Sequence, residues 1–303
     1  LYALRISTLG FALMVAVIDE VCSDVKAQME ADFGPPGDEE GSEHDVLAWL
    51  HYRARSIPQR FREVVLSEEV KAAMSRFPAI AQIKHQLANA GDVRPWLSNS
   101  IRDRKSDPLA DKLFNDWQIT HFHLGTFDKS GTVSRADDLL FAHVTAHTAV
   151  LIAIRSHQKT NRWTDQSILE SLLQSYPPFM EIYELKNVHG RRDELSDVDY
   201  ARARRANESI PFQKKDRVFV IGGGLARSGH SARLGEILNY TLRTYRNLNR
   251  HFINNQFSVE EFQRLLFPIG LPVRLGCRLP FYGQIELWDK NRMNLLWTSR
   301  PLE

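Results

Sequence analysis

Alternating apolar and polar positions mark the middle of the chain as a set of β-strands. Three runs there have a period of two, WQITHFHLGTF at 117–127, DDLLFAHVTAH at 137–147 and TAVLIAIRSH at 148–157. Successive side chains of a strand point to opposite faces of a sheet, and short polar connections favour hairpins. The pattern therefore predicts an antiparallel meander with a very tight connection near residues 146–148.

Helical spacing replaces this alternation on both sides of the meander. The apolar positions and capping signals predict helices at 5–32, 45–57, 67–77, 78–90, 163–176, 196–209, 231–254 and 259–266. Ser67 and either Thr164 or Asp165 are predicted N-terminal caps, and Pro177 and Pro178 are expected to end a helix. Further strands are predicted at 216–221, 273–279, 283–288 and 294–297. The expected fold class is α+β, with a mainly helical region over 1–115 and an α+β candidate catalytic or nucleic-acid-binding domain over 116–303.

Composition narrows the class of protein. With 303 residues, 43% of them apolar and 25% charged, the chain falls in the globular range and is neither disordered nor fibrous. The two cysteines, Cys22 and Cys277, lie far apart, so their spacing indicates neither a disulfide framework nor a cysteine-based zinc site, and a reducing cytoplasm is expected. The apolar run at 9–18 is too short to span a bilayer and is predicted to be part of a buried helix, with no membrane association.

Charge is unevenly distributed although the net charge is only +2. Residues 19–45 are strongly acidic, whereas arginine and lysine dominate from residue 202 to residue 250. A basic C-terminal half is compatible with a phosphate-rich partner such as RNA, and solvated helix faces are the alternative interpretation.

Sorting the three central strands by parity collects titratable side chains on one predicted face. Phe122 and Leu124 share one face of the first strand. The apolar sets of the other two strands are Leu140, Ala142 and Val144, and Val150, Ile152 and Ile154. If these apolar sets form the core face, the opposite face carries His121, His123, His143, Arg155 and His157.

Such a face has the groups that metal-free RNA cleavage needs. Imidazoles titrate near neutral pH, so one can accept the proton of the 2′-hydroxyl while another protonates the leaving 5′-oxygen. A guanidinium can hold the phosphate through two hydrogen bonds. Two other interpretations stay open: the histidines are structural, or His121 and His123 bind zinc, for which the spacing supplies no third ligand.

Residues 117–173 resemble the meander and following helix of the RelE-like bacterial toxins, which are ribonucleases that act on messenger RNA. The shared order is a Trp-x-Ile strand, an apolar LLFA strand, an aliphatic strand followed by basic residues, and a short helix. The resemblance implies that Arg155, Lys159 and Arg162 contact RNA. That family is far smaller than this chain and usually has lysine and arginine where this chain has histidine.

The segment VFVIGGGLARSGHSARLGEILN at 218–239 predicts a strand, a glycine-rich loop and a helix. Backbone N–H groups at Gly222, Gly223 and Gly224 could bind a phosphate at the start of the helix. The segment is neither a P-loop nor a dinucleotide fingerprint, and a tight turn is the simpler alternative. Phosphate-compatible side chains around this loop are Arg227, Ser228, His230 and Arg233.

Within the predicted long helix, RNLNRH at 246–251 resembles the R-N-x-x-x-H signature of HEPN ribonucleases, which are all-helical. The resemblance implies functional roles for Arg246 and His251. Five residues along a helix place these two side chains about 140° apart, so they do not converge on one face. A basic stripe along the helix is the simpler interpretation.

The predicted function is that of a metal-independent endoribonuclease of toxin or phage-defence type, without a cofactor. In this hypothesis His121 and His123 are the acid and the base, His143 or His157 supports them, and Arg155 binds phosphate. RNA is the expected partner, and a protein antitoxin or regulator is a further candidate. The alternative is a non-enzymatic regulator that binds nucleic acid or a nucleotide through the glycine loop at 222–224 and the basic helix.

Overall fold

A computed structural model gives the architecture of the chain. It describes residues 2–8, 11–19, 21–33, 49, 51–98, 101, 112–127, 129, 131, 133–134, 137–158, 164–190, 193, 195–206, 208, 210–220, 232–236, 239–240, 243, 273–281, 284–290 and 294–298. The chain divides into two compact units. Unit 1 comprises residues 1–53 and 236–303, and unit 2 comprises residues 54–235.

Strands and helices alternate irregularly along the described residues. The strands are β1 (Tyr2–Thr8), β2 (Phe11–Asp19), β3 (Glu63–Leu66), β4 (Ile119–His123), β5 (Asp138–Val144), β6 (Thr148–Ser156), β7 (Phe212–Lys214), β8 (Arg217–Phe219), β9 (Val273–Phe281), β10 (Gln284–Asp289) and β11 (Asn294–Thr298). The helices are α1 (Val21–Phe33), α2 (Glu68–Ala73), α3 (Pro78–Ala88), α4 (Lys112–Trp117), α5 (Gln166–Ser175), α6 (Pro177–Glu181) and α7 (Asp197–Arg205), with a 3-10 turn at Arg94–Trp96. The α+β class is confirmed.

Unit 1 is built on a five-stranded sheet with the order β1-β2-β9-β10-β11. The predicted helix over 5–32, with its buried part at 9–18, is wrong in its first part, because β1 and β2 form an antiparallel hairpin and the helix begins only at Val21. β2 also runs parallel to β9, with Val17 opposite Val273. A short apolar run does not distinguish a buried strand from a helix, and here pairing with a distant segment determines the outcome.

Unit 2 contains a four-stranded sheet with the order β3-β6-β5-β4 and flanking helices. The predicted meander is confirmed, because β4 pairs antiparallel with β5, and β5 pairs antiparallel with β6. Its tight connection is a turn in which the Thr145 N–H donates to the Thr148 carbonyl at 2.8 Å. β3, which was not predicted, joins this sheet parallel to β6. Unit 2 therefore contains residues from both sides of residue 115.

A β-bulge in β6 interrupts the alternation on which the face prediction relied. The register passes from Phe141 opposite Ala153 to Ala142 opposite Leu151, so Ile152 is the extra residue. Residues beyond an extra residue change faces relative to those before it. Strict alternation of faces along the sequence cannot predict where such a bulge occurs.

The bulge divides an apolar set that was predicted to share one face. Val150 lies opposite His143, whereas Ile154 lies opposite Leu140. Since directly opposed residues of an antiparallel pair share a face, Val150 and Ile154 belong to different faces. The assignment of Val150 and Ile154 to a common core face is wrong for this reason.

Both faces of the sheet in unit 2 are covered. The main apolar cluster lies on the face of Ile119, Phe141 and Val150, against which α5 and α6 place Ile168, Leu169, Leu172, Phe179 and Met180. Side chains of the other face, Phe122, Leu140, Ala142 and Leu151, are buried as well, and α2 contacts β6 while α3 contacts β3. The central strands are therefore apolar on both sides, as is usual for a sheet between layers of helices.

Helix caps agree with the predicted ones. The Ser67 hydroxyl accepts a hydrogen bond from the Val70 N–H at 3.1 Å at the start of α2, and Asp165 caps α5. Pro177 and Pro178 end α5 as predicted, but they also begin the short α6, because proline suits the first turn of a helix. None of the described helices is both long and apolar enough to cross a membrane.

Candidate functional site

Strand register brings the predicted histidines to one face of the sheet. His121 lies opposite Phe141, His123 opposite Leu139, and His143 opposite Ile119. Arg155 is also opposite Leu139, on the other side of β5, so it shares this face. His157 follows β6 directly and its backbone N–H donates to the Asp137 carbonyl.

The position of this face relative to the core differs from the prediction. The histidines were expected opposite the apolar core, but Phe141 and Ile119, which share their face, belong to the main core cluster. His121 and His123 are consequently buried, with 8% and 5% of their surface exposed. The reason is that β5 has apolar residues on both faces, so apolar parity alone could not identify the solvent side.

Three of the histidine rings form a continuous row. The centroids of His121 and His123 are 5.8 Å apart in an edge-to-face arrangement. The rings of His123 and His157 are stacked, with their centroids 6.4 Å apart and their planes inclined by 27°. His157 is only half-buried, so the row runs from the interior of the sheet toward solvent.

His143 occupies a different environment from this row. Its ring contacts Phe179 with a centroid distance of 3.8 Å, and 2% of the residue is exposed. Burial lowers the pKa of His143 to about 4, and the positive charge of Arg233 acts in the same direction. The backbone of Gln118 and Trp117 raises this pKa by less, and neither ring nitrogen has a hydrogen bond of good geometry. His143 is therefore neutral at neutral pH.

Arg155 is engaged in a network of fixed contacts. Its Nε donates to the Asp165 carboxylate at 2.9 Å, and its two Nη atoms donate to Glu69 at 2.6 Å and to the Ser167 hydroxyl at 2.8 Å. Nη1 also donates to the Ile154 carbonyl at 2.6 Å. All three nitrogens thus have protein acceptors, and two carboxylates balance the guanidinium charge.

This network joins three elements at the edge of the sheet. Glu69 lies in the first turn of α2, and its carboxylate also accepts the Ile154 N–H at 2.8 Å, beyond the point where β3 ends. Asp165 is the N-cap of α5 and accepts from the Ser167 N–H at 3.1 Å. Arg155 therefore ties α2 and α5 to β6. Asp165 is predicted from the sequence only as a helix cap, and the role of Glu69 has no local signal because 86 residues separate it from Arg155.

Most of the predicted phosphate-binding residues lie outside the described part of the chain. These are Lys159, Arg162, Gly222, Gly223, Gly224, Arg227, Ser228, His230, Arg246 and His251. Arg233 is described, and its positive charge contributes to the lowered pKa of His143. Within the described residues, no group of three or more histidine, cysteine, aspartate or glutamate side chains could hold a metal ion.

Comparison of the chain with protein-family models, with curated proteins and with solved structures gives no match. A functional proposal for this chain therefore depends on the chemistry of its own side chains. The most distinctive arrangement in unit 2 is the row of His121, His123 and His157.

Proposed function

We propose that unit 2 is a metal-independent endoribonuclease in which His123 and His157 act as the acid–base pair. The stacking of these two rings, with a centroid separation of 6.4 Å, carries the proposal. A general acid and a general base must each approach an oxygen of one phosphodiester within roughly 2.6–3.2 Å. Two imidazoles at this separation can each reach an oxygen of one phosphate that lies between them. The ring of His121 packs edge-to-face against that of His123 and fixes its orientation.

His143 and Arg155 have positioning roles in this proposal. A histidine with a pKa near 4 is unprotonated at neutral pH, so it cannot serve as a general acid there, and it is a weak base. Arg155 already has two carboxylate partners, so its guanidinium is not proposed as the phosphate ligand. Arg155 instead fixes the end of β6 from which His157 extends.

The proposal includes the resemblance of residues 117–173 to the RelE-like toxins. The succession of β4, β5, β6 and α5 supports it, because it has the same order as the meander and helix of those toxins. Messenger RNA would then be the substrate class and the cytoplasm the place of action. A protein antitoxin remains a proposed partner of the same hypothesis.

Burial of the histidine row favours a second candidate, a non-enzymatic RNA-binding or nucleotide-binding regulator. His121 and His123 are buried against the core, as structural histidines of a sheet often are. In that case the histidines stabilise the sheet, and binding uses other groups. The two candidates differ in one outcome, since only the enzyme loses turnover while it keeps RNA affinity when one histidine is replaced.

The test is incubation of the full chain with a defined single-stranded RNA in excess chelator, alongside His157→Gln. The matched control is His85→Gln, because His85 is an exposed histidine of α3. General acid–base catalysis contributes about 10²- to 10⁴-fold, so we expect His157→Gln to slow cleavage by at least 100-fold while His85→Gln leaves it unchanged. Absence of cleavage by a folded chain that binds RNA would favour the regulator.

A further inference from the structure

The segment that leads into β3 presents an exposed aromatic ring between two arginines. Phe61, preceded by Arg60 and followed by Arg62, has 75% of its surface exposed. An exposed aromatic ring on a positively charged segment is a surface on which nucleic-acid bases stack. Arg60, Phe61 and Arg62 are called the RFR segment below.

Arg62 differs from its neighbours because it is buried, with 7% of its surface exposed. Its Nε donates to the Thr145 carbonyl at 2.7 Å, and Nη1 donates to the Arg60 carbonyl at 3.1 Å. These two bonds hold the guanidinium against the turn between β5 and β6. They use Nε and Nη1 and leave Nη2 without a hydrogen bond to the residues that the structure describes.

The charge of Arg62 has no acidic partner in the described part of the chain. Burial, and after it the positive charge of Arg60, lower the pKa of Arg62 to about 10, while no carboxylate raises it. Glu63 is the next residue along the chain and its exposed side chain makes no ion pair with Arg62. A buried cation in a protein is normally paired, and an external anion would supply the partner that the described residues do not.

We propose that the RFR segment and the adjoining turn at 145–148 form a binding site for single-stranded RNA. Arg62, through Nη2, binds a backbone phosphate, and Phe61 is the platform for the neighbouring base. The exposed His147 lies within this turn, and its carbonyl accepts the Glu63 N–H at 2.9 Å. The choice of RNA rather than DNA rests on the proposed function, since stacking and phosphate binding serve both polymers.

The RFR site lies at a distance from the proposed acid–base pair, which suits a role in binding the substrate and not in the reaction itself. The turn at 145–148 adjoins the end of β5 that carries His143, whereas His123 lies opposite Leu139 near the other end of β5. Successive strand residues rise about 3.3 Å, so the RFR segment and the proposed acid–base pair are separated by several residues of strand. A single-stranded RNA of a few nucleotides spans such a distance.

The test is fluorescence anisotropy of the full chain with a labelled oligouridine, in excess chelator and at several salt concentrations. Phe61→Ala is compared with Ile182→Ala, because Ile182 is an equally exposed apolar side chain of unit 2. Stacking of one base contributes a factor of roughly 5 to 150 in affinity, so we expect a loss in that range for Phe61→Ala and none for Ile182→Ala. An unchanged affinity in Phe61→Ala would overturn the proposed platform.

Arg62→Gln tests the phosphate contact through the salt dependence of binding. Loss of one phosphate contact should reduce the slope of log affinity against log salt by about 0.7 for a single strand. Arg94→Gln is the matched control, because the exposed Arg94 is paired with Asp92 at 2.7 Å. Should Arg62→Gln fail to fold, Arg62→Lys replaces it, and we then expect a weaker affinity with a retained salt slope.

The outcomes separate this inference from the proposed function. Cleavage that requires His157, together with unchanged binding in Phe61→Ala and Arg62→Gln, rejects the RFR site and retains the enzyme. Binding that requires Phe61 and Arg62, without cleavage, supports the site and rejects the enzyme. Equal binding of single-stranded RNA, single-stranded DNA and heparin, insensitive to Phe61→Ala, would mean charge attraction alone and overturn the site.

Discussion

The guanidinium of Arg155 and the carboxylate of Asp165 form a buried ion pair with an Nε to Oδ2 distance of 2.9 Å. Asp165 has only 2% of its side chain exposed, and it is also the N-cap of α5. One carboxylate thus anchors the last residues of β6 and begins the helix that covers the histidine face. Because of this pair, Arg155 has a structural role, whereas the sequence had indicated that it binds phosphate.

Replacement of Arg155 by glutamine should destabilise unit 2. The change leaves the Asp165 carboxylate buried without its charge partner and also removes the contact with Glu69. Breaking a buried pair from one side typically costs 3–5 kcal/mol, and the residual exposure of Arg155 reduces this, so we expect a loss of about 2–3 kcal/mol in the free energy of unfolding. Urea denaturation followed by circular dichroism measures it.

Arg202→Gln is the control for this loss. Arg202 faces Asp199 at 3.5 Å on the exposed side of α7, and such surface pairs contribute about 0–1 kcal/mol. The interpretation also requires that Asp165→Asn and Arg155→Gln are not additive, because both remove the same interaction. Additive losses would mean that the two side chains stabilise the unit independently.

His143 should make the stability of unit 2 depend on pH in a defined window. Its pKa in the folded chain is about 4, below the usual value of 6.5, so the unfolded chain binds the proton more readily. The contribution of His143 is therefore fully present above pH 6.5 and is lost as the pH falls toward 4, by up to about 3 kcal/mol. Urea denaturation at pH 7.5, 5.5 and 4.5 follows this loss.

His143→Leu is the informative variant, because leucine can pack against Phe179 without titrating. The difference in unfolding free energy between the wild-type chain and this variant should change with pH between 6.5 and 4. A constant difference across the window would mean that His143 is not buried in solution.

The meander and its helix could be predicted because their signals are local. Alternation over β4, β5 and β6, the tight turn after Val144 and the cap at Asp165 each depend on residues close together in the sequence. The histidines could likewise be assigned to a common face from parity. The sequence therefore predicted which side chains lie together, without predicting how deeply they are buried.

The other features of the fold depend on contacts between residues that are far apart in the sequence, and local patterns cannot predict such contacts. The apolar positions of β1 and β2 are also compatible with a helix. These residues form strands because β1 and β2 pair with each other and β2 pairs with β9, which comes from near the other end of the chain. β3 is four residues long and becomes a strand by lying beside β6. The extra residue at Ile152 has no compositional signal, and it reverses the faces of the residues around it. The partners of Arg62 were missed for the same reason, since Thr145 is 83 residues away.

Glu184 and Arg217 should give a second, more acidic pH effect in unit 2. Arg217 donates to the Glu184 carboxylate from Nε at 3.0 Å and from Nη2 at 2.8 Å, and Lys186 donates at 2.9 Å. These bonds, the one from Arg217 first, lower the pKa of Glu184 to about 2 from the usual 4.5. The pair therefore stabilises the fold above pH 4.5, and this contribution is lost as the pH falls toward 2.

Arg217→Gln should raise the pKa of Glu184 toward 4.5, with Lys186 retaining part of the effect. NMR titration of carboxyl carbons in ¹³C-labelled protein measures this directly, and Arg94→Gln is the control that leaves the midpoint near 2. The backbone around the pair is fixed independently, because the Leu185 N–H donates to the Val218 carbonyl at 2.9 Å. A midpoint that does not move would show that Arg217 and Glu184 are not paired in solution.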